Sequence, residues 1–175
     1  MFKDIVFNEE INQDNTLYVF TSLAKAINSE KKKKAVLITG SKKDITSLSQ
    51  KAKAKNIMTL CQSQGYLFDK FVFERTSVDI MFDFELLHAK DHLHYRRSGL
   101  NQVLCKIAHD NEKMIAFSFR SLLNSKNKAL LLGRVMQNIR FCRKYKVKTL
   151  LASFAKNEFE VRNDLVALER VLTKS

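Results

Sequence analysis

Two neighbouring arginines precede a segment whose apolar spacing predicts a helix, in the stretch "HYRRSGLNQVLCKIAHDN". Ser98 follows Arg96 and Arg97, and because serine often caps helix N-termini we expect it to begin the helix. A helix N-terminus carries about half a positive charge, so two cations beside it are unfavourable unless an anion lies between them and the helix. The pair therefore predicts a phosphate-binding loop. The alternative is that nearby carboxylates satisfy the arginines, from Asp83, Glu85 or Asp91.

Three histidines, His88, His92 and His94, lie in the same part of the sequence with acidic residues around them. Imidazole and carboxylate groups bind zinc and other divalent ions, so this cluster would suit a metal-dependent phosphoesterase. The spacing of His88 and His92 places both on one helix face, but His94 then lies off that face. A polar loop that holds no metal is the simpler interpretation, and both interpretations stay open.

A second loop that could hold a phosphate follows the apolar run "KAVLITG", where Lys42 and Lys43 precede a helical pattern that Asp44 could cap. The loop lacks the glycines of the nucleotide-binding fingerprints, so it indicates at most a general phosphate contact. No serine–histidine–aspartate or cysteine–histidine arrangement stands out. We therefore predict no catalytic residue in this chain.

The elements that would position these loops alternate between short apolar runs and longer helical patterns. Six runs predict strands: "KDIVF", "KAVLITGS", "IMTLCQ", "VDIMFDFE", "MIAFSF" and "KTLLASF". Because they are continuously apolar, they indicate a parallel sheet that is buried on both faces. Helices are predicted at 16–30, 43–56, 98–111, 128–146 and 162–172, while 68–76 fits either a helix or a strand. Six or seven such units would form a small barrel or an open doubly wound sheet.

The longest helical pattern has a core face and a basic face. At about 100° per residue, Leu132, Val135, Met136 and Ile139 share one face. We expect Arg134, Gln137 and Lys144 on the opposite face, with Arg140 beside them and Arg143 closer to the apolar stripe. Leu130 and Phe141 also lie on the basic side, which indicates contact with a partner protein or with a neighbouring helix.

The composition favours a polyanionic partner. The chain has 175 residues, which predicts one domain over 1–175, and its formal net charge is +13. No apolar run is long enough to span a membrane, and the start resembles no signal peptide, so we expect a cytoplasmic protein that has no membrane partner. The three cysteines are isolated, which favours neither a disulfide framework nor a thiolate zinc site; Cys105 and Cys142 are expected in the core.

Two of these segments together resemble a known family. "RRSGLNQVLCKIAHDNEKMIAFSFRSLL" and "LLGRVMQNIRFCRKYKVKTLLASFA" resemble protein component 3 of archaeal ribonuclease P, the family that includes the thirty-kilodalton subunit of the eukaryotic enzyme. The shared pattern is an arginine before Ser-Gly-Leu-Asn, a strand that ends in Phe-Ser, and a helix with Arg-x-Met-x-Asn-Ile-Arg-x-Cys-Arg-Lys-Tyr. It spans roughly residues 78–155, and the first 75 residues match only in layout.

The resemblance implies an α/β fold of the TIM-barrel type and a role without chemistry of its own. In the family's holoenzyme, which removes 5′ leaders from precursor tRNA, the RNA subunit performs the metal-assisted hydrolysis. The implied partners are ribonuclease P RNA, precursor tRNA, protein component 2 (a small subunit resembling RNA-recognition domains) and the other ribonuclease P proteins. Magnesium would belong to the RNA subunit, and no metal or other cofactor is expected in this chain.

The resemblance also selects candidate RNA or subunit contacts. The motif positions are Arg97, Arg134, Arg140, Arg143 and Lys144. To these we add the further candidates Arg96, Lys42, Lys43 and Arg120 for RNA, and Leu130 and Phe141 for a partner protein. The sequence departs from the family at Gln102, where histidine is common, at Lys148, where proline is common, and near its end. We therefore expect a small barrel of six or seven strands, and the sequence leaves open whether it has its usual last unit and closes.

Overall fold

The computed structural model describes residues 2–11, 13–162, 164–165, 167–168 and 172. A single sheet of seven strands, each parallel to the next, follows the order of the chain. The strands are β1 (Asp4–Val6), β2 (Thr16–Phe20), β3 (Lys34–Ile38), β4 (Met58–Gln62), β5 (Ile80–Phe82), β6 (Met114–Ser118) and β7 (Lys148–Ala152). Such a sheet confirms the parallel architecture that the continuous apolar runs predict.

Helices connect the strands from β2 onwards, whereas β1 and β2 are joined by a loop. The helices are α1 (Leu23–Asn28), α2 (Lys42–Ala54), α3 (Tyr66–Arg75), α4 (Gln102–Asp110), α5 (Phe119–Asn124) and α6 (Lys128–Lys144). Short 3-10 helices lie at Phe84–Leu86 and Glu158–Glu160. The segment 68–76, which fitted either element, belongs to α3, and α5 was not predicted. The predicted helix at 162–172 lies partly outside the described residues.

The first and last strands meet and nearly close the sheet into a barrel. Beyond β7, the Phe154 N–H donates to the Ile5 carbonyl and the Phe7 N–H donates to the Ala155 carbonyl, each at 2.8 Å. Residues that follow β7 thus pair with β1, and the barrel nearly closes where the sequence had left closure open. The fold is a nearly closed α/β barrel of the TIM type, as predicted.

Both faces of the sheet are buried, but in two different layers. In β2, Leu17 and Val19 belong to the inner cluster that fills the barrel, whereas Tyr18 and Phe20 belong to the outer cluster beneath the helices. Side chains of a strand alternate between its faces, so a strand buried on both sides is mostly apolar along its whole length. Cys105 and Cys142 lie in the outer cluster, as expected.

The segment 16–30 was wrongly predicted as one helix. It contains β2 and then α1, which begins after Ser22, whose hydroxyl accepts a hydrogen bond from the Lys25 N–H at 3.3 Å. The run "LYVF" fits both a helical apolar pattern and a buried strand, since a short apolar run has no distinguishing period.

Two helix starts also differ from the prediction. Ser41 caps α2, and Asp44 completes a capping box three residues later instead of being the cap itself. Asn101, not Ser98, caps α4 by accepting from the Leu104 N–H at 2.9 Å. The phosphate-binding hypothesis for Arg96 and Arg97 therefore loses the helix N-terminus directly behind them, although both remain in the loop.

Candidate nucleic-acid interface

The long segment between β5 and α4, residues 83–101, forms one loop at the carboxyl ends of the strands, and we call it the β5–α4 loop. Its last turn needs a glycine, because Gly99 has a φ of +85° and a Cβ there would overlap the carbonyl oxygen of Phe84. The "SGLN" motif thus combines two requirements of this loop. Glycine permits the close approach, and Asn101 begins the helix.

Arg134 and Asn138 lie one helical turn apart on α6, and both donate hydrogen bonds to the β5–α4 loop. Arg134 Nε donates to Asp91 Oδ1 at 2.7 Å, and its Nη1 donates to the carbonyls of Glu85 and His88. Asn138 Nδ2 donates to the Ser98 carbonyl at 2.7 Å. The two motifs that carry the family resemblance are therefore in direct contact.

The prediction that Arg134 lies on the basic outer face of its helix is wrong. Its side chain is buried, with the residue 1% exposed, and it forms an ion pair with Asp91. A buried guanidinium with these partners has no surface left for RNA, so Arg134 is removed from the contacts we propose. Sequence spacing missed this because an arginine's partners lie on another element.

Asp91 is bound by α6 and by the backbone of its own loop. It accepts from Arg134 and from the backbone N–H of Arg97, the latter at 2.8 Å. Burial acts to raise the pKa of Asp91, but these hydrogen bonds outweigh it and the pKa is lowered. In the described part of the chain, no ion pair joins the side chains of Arg96 or Arg97 to a carboxylate. The alternative that Asp83, Glu85 or Asp91 satisfies them is not observed.

Glu85 is a carboxylic acid buried beneath the loop, with the residue 1% exposed. Burial first, and then the charge of Asp83, raise the pKa of Glu85 to about 8, so that it is mostly protonated at neutral pH. Its oxygens, Ser98 Oγ and Asn138 Oδ1 are all buried without a hydrogen-bond partner among the described residues. Most of the buried side-chain polar atoms that lack a hydrogen-bond partner within the described residues therefore lie where the loop meets α6. The family motif contains Asn138, and Glu85 was considered only as a partner of the arginines, so the sequence did not predict that the two side chains lie together in the interior.

The predicted cations of the two candidate phosphate loops lie at the surface. Arg96 is exposed and lies over Gly133 of α6, where a Cβ would come 2.9 Å from its Nε, while Arg97 is half-buried. Lys42 and Lys43 are exposed at the start of α2, and Lys42 Nζ lies 5.0 Å from the ring centre of Phe71. These residues have the exposure that phosphate contacts require, and their role stays a prediction.

Arg120 already has a carboxylate partner. Its Nε donates to both oxygens of Glu160, at 3.1 and 3.0 Å, and the guanidinium is half-buried. The Lys156 N–H first, and Arg120 after it, hold the pKa of Glu160 below its usual value. Contact between Arg120 and RNA remains a prediction that would have to compete with this pair.

The outer side of α6 is basic at its C-terminal end. Arg140, Arg143 and Lys144 are exposed there, while Val135 and Ile139 are buried as predicted. Phe141 is partly buried against the outer core cluster, which supports the alternative of packing within the chain. Leu130 is half-buried near the start of the helix, and its contact with a partner protein stays a prediction.

The mouth of the barrel, where TIM-barrel enzymes hold their catalytic groups, is filled with aromatic rings. The rings of Phe82 and Phe154 are 5.0 Å apart, and those of Phe7 and Phe154 are 5.8 Å apart. His88, His92 and His94 do not combine into a ligand set: the described residues contain no group of three histidine, cysteine or acidic side chains that could hold a metal ion. Nothing in this geometry favours the phosphoesterase alternative.

Comparison with known proteins gives the same family as the sequence motifs. The chain is 37% identical over 75 residues to ribonuclease P protein component 3 of Methanosarcina barkeri, which covers 42% of this chain and 31% of that protein. Component 3 of Methanosarcina acetivorans is 39% identical over 80 residues, or 43% of this chain and 34% of the relative. The chain is similar to ribonuclease P protein component 3. The alignments span about a third of each relative's length, and no family model matches the chain.

A solved structure supports the fold over most of the chain. One chain of a cryo-EM structure of archaeal ribonuclease P with mature tRNA matches 97% of this chain and 81% of its own length, with a TM-score of 0.70. At 21% sequence identity this likeness establishes the barrel and not the role of any residue. In the described ranges, no helix is both long and apolar enough to cross a membrane.

Proposed function

We propose that this chain is a protein subunit of ribonuclease P that binds and stabilises the catalytic RNA for removal of the 5′ leader from precursor tRNA. The observation that carries the proposal is the similarity to component 3, in sequence over 75 to 80 residues and in fold over 97% of the chain. The filled barrel mouth supports a subunit that positions RNA while the RNA, with its magnesium, breaks the bond.

The net charge of +13 supports a role in neutralising the phosphates of the RNA backbone. Lysine and arginine side chains that contact phosphates release condensed counterions, so affinity should fall steeply as salt is added. Arg96, Arg97, Lys42 and Lys43 are the contacts we propose at the carboxyl ends of the strands, with Arg140, Arg143 and Lys144 on α6. Folded RNA offers its shape and its phosphates more than its sequence, and a rigid basic surface suits that mode.

The proposed assembly partners follow the same similarity. We propose protein component 2 as the direct protein partner, with Leu130 among its contacts, and the other ribonuclease P proteins as further neighbours. Replacing Leu130 with serine should weaken co-purification with component 2 in high salt, whereas Arg140→Ser, nearly three turns further along α6, should not. Unchanged co-purification of the Leu130→Ser variant would remove this contact.

The RNA-binding role is tested by the salt dependence of affinity for ribonuclease P RNA. The double variant Arg96→Ala/Arg97→Ala should bind more weakly and should flatten the dependence of log affinity on log salt by about two phosphates' worth. Lys53→Ala/Lys55→Ala removes the same charge from exposed positions at the opposite end of the barrel and is the matched control. A wild-type affinity that does not respond to salt would contradict the proposed function.

A further inference from the structure

The tip of the β5–α4 loop, residues 92–95, has a defined shape. The His92 N–H donates to the Tyr95 carbonyl at 3.0 Å, which closes a tight turn. The two rings lie 4.4 Å apart between centroids and are inclined by 30°. One part of the Tyr95 ring is therefore supported by His92.

The same tip exposes two large side chains, Leu93 and Tyr95, to an unusual degree. Leu93 is 92% exposed and Tyr95 is 62% exposed, although burial of such side chains normally stabilises a fold. The tip is nevertheless held at its base, since Asp91 is bound by Arg134 and by the Arg97 N–H. An exposed aromatic ring on a fixed support is preorganised for a flat partner.

The charges around the tip indicate what kind of flat partner this is. Lys90, His94 and Arg96 are exposed on either side of Leu93 and Tyr95. The only acidic residue of the segment 86–99 is Asp91, which points inward to Arg134. A polyanion with accessible π faces matches this combination, whereas an acidic or apolar protein surface would leave either the ring or the cations unused.

We propose that the tip of the β5–α4 loop is a stacking site for an unpaired RNA base, which lies against the Tyr95 ring while Lys90 and Arg96 contact the flanking phosphates. The proposal rests on the proposed function and names the part of the RNA that this site binds. Stacking on an aromatic side chain tolerates any base, so the site distinguishes unpaired from paired RNA and reads no sequence.

The site is tested with the full chain and two probes, a short fluorescein-labelled oligoadenylate and the same strand in duplex with oligouridylate. Tyr95→Leu should weaken binding of the single strand by about five- to a hundredfold, without changing the slope of its salt dependence. Tyr95→Phe keeps the ring and should bind as the wild type does. Phe159→Leu removes an even more exposed aromatic residue, 90% accessible but beside two glutamates, and should have no effect.

The outcomes separate this site from the proposed function. Loss of affinity for the single strand in Tyr95→Leu, with duplex binding unchanged, supports the stacking site. Equal affinity of wild type and Tyr95→Leu for the single strand overturns it while leaving RNA binding intact. If Tyr95→Leu instead weakens only the binding of protein component 2, the tip is a protein contact and the proposal is wrong. Failure of the wild type to bind either probe or ribonuclease P RNA would remove both proposals.

Discussion

Arg134 shows at the scale of single residues how a motif can look like an RNA contact and yet be structural. Its guanidinium holds three acceptors of the β5–α4 loop, and Asn138 holds a fourth. The sequence motif identifies the important residues of α6, but it does not show which way their side chains point. Helical spacing places Arg134 opposite the apolar stripe, and only the loop packed over that side reveals that it is buried.

Replacing Arg134 should therefore destabilise the fold. Arg134→Met removes the partner of Asp91 and the donors to two loop carbonyls, and we expect a loss of about 3 kcal/mol in the free energy of unfolding. Lys128→Met, at an exposed position of the same helix, should change it by less than about 0.5 kcal/mol. Urea unfolding followed by circular dichroism measures both, and equal stabilities of the two variants would contradict the structural role.

Glu85 should make stability depend on pH. Its pKa rises from 4.5 to about 8 on folding, so the folded state binds the proton more tightly than the unfolded state. Stability should therefore fall as pH rises between these values, by roughly 1.4 kcal/mol per pH unit at most. Glu85→Gln should remove most of this slope between about pH 6 and 8, whereas exposed Glu10→Gln should retain it. Below that range Asp69, whose pKa burial raises to about 6, contributes a slope of the same sign. A wild-type stability that stays level over the range would show that Glu85 is charged in the folded protein.

At the scale of elements, the sequence predicts strands better than their connections. Six of the seven strands follow from largely apolar runs, because burial on both faces leaves few polar positions in them. Strand β2 was missed because its apolar residues run on into α1. The β5–α4 loop was recognised as cationic, but its internal hydrogen bonds join residues far apart in the sequence and have no local signature.

The turn at Gly99 is the element-scale feature most sensitive to substitution. Gly99→Ala should destabilise the protein by about 3 kcal/mol or more, because the added Cβ meets the Phe84 carbonyl in addition to the positive φ. Gly65→Ala shares a positive φ, +113°, but has no atom within 4 Å of the added Cβ, so it should cost only about 1–3 kcal/mol. Thermal unfolding of the two variants compares them, and a Gly99→Ala variant no less stable than Gly65→Ala would refute the close approach.

At the scale of the whole molecule, one buried carboxylate secures the closure of the barrel. Asp4 at the start of β1 accepts from the Ser153 N–H and hydroxyl beyond β7, each at 2.6 Å. Burial is the largest influence on its pKa, which is raised despite these hydrogen bonds. The family resemblance left open whether the barrel closes. The contact between Asp4 and Ser153 joins residues at opposite ends of the chain, so spacing in the sequence could not predict it.

Removing that carboxylate should loosen the barrel. Asp4→Ala leaves the Ser153 donors buried without acceptors, and we expect a loss of about 2–4 kcal/mol in the free energy of unfolding. Asp14→Ala removes an exposed carboxylate from the same part of the chain and should be close to neutral. Chemical denaturation measures both variants. An Asp4→Ala protein as stable as the control would show that closure does not depend on this pair.

For the whole molecule, we propose that a basic, nearly closed barrel positions structured RNA while the RNA carries out the cleavage. The most direct test is reconstitution: precursor-tRNA cleavage is measured at low magnesium with the catalytic RNA and component 2, with and without this chain. We predict that the chain raises the cleavage rate, and that Arg96→Ala/Arg97→Ala raises it less than Lys53→Ala/Lys55→Ala does. An unchanged rate on adding the chain, or cleavage by the chain in the absence of the RNA subunit, would contradict the account.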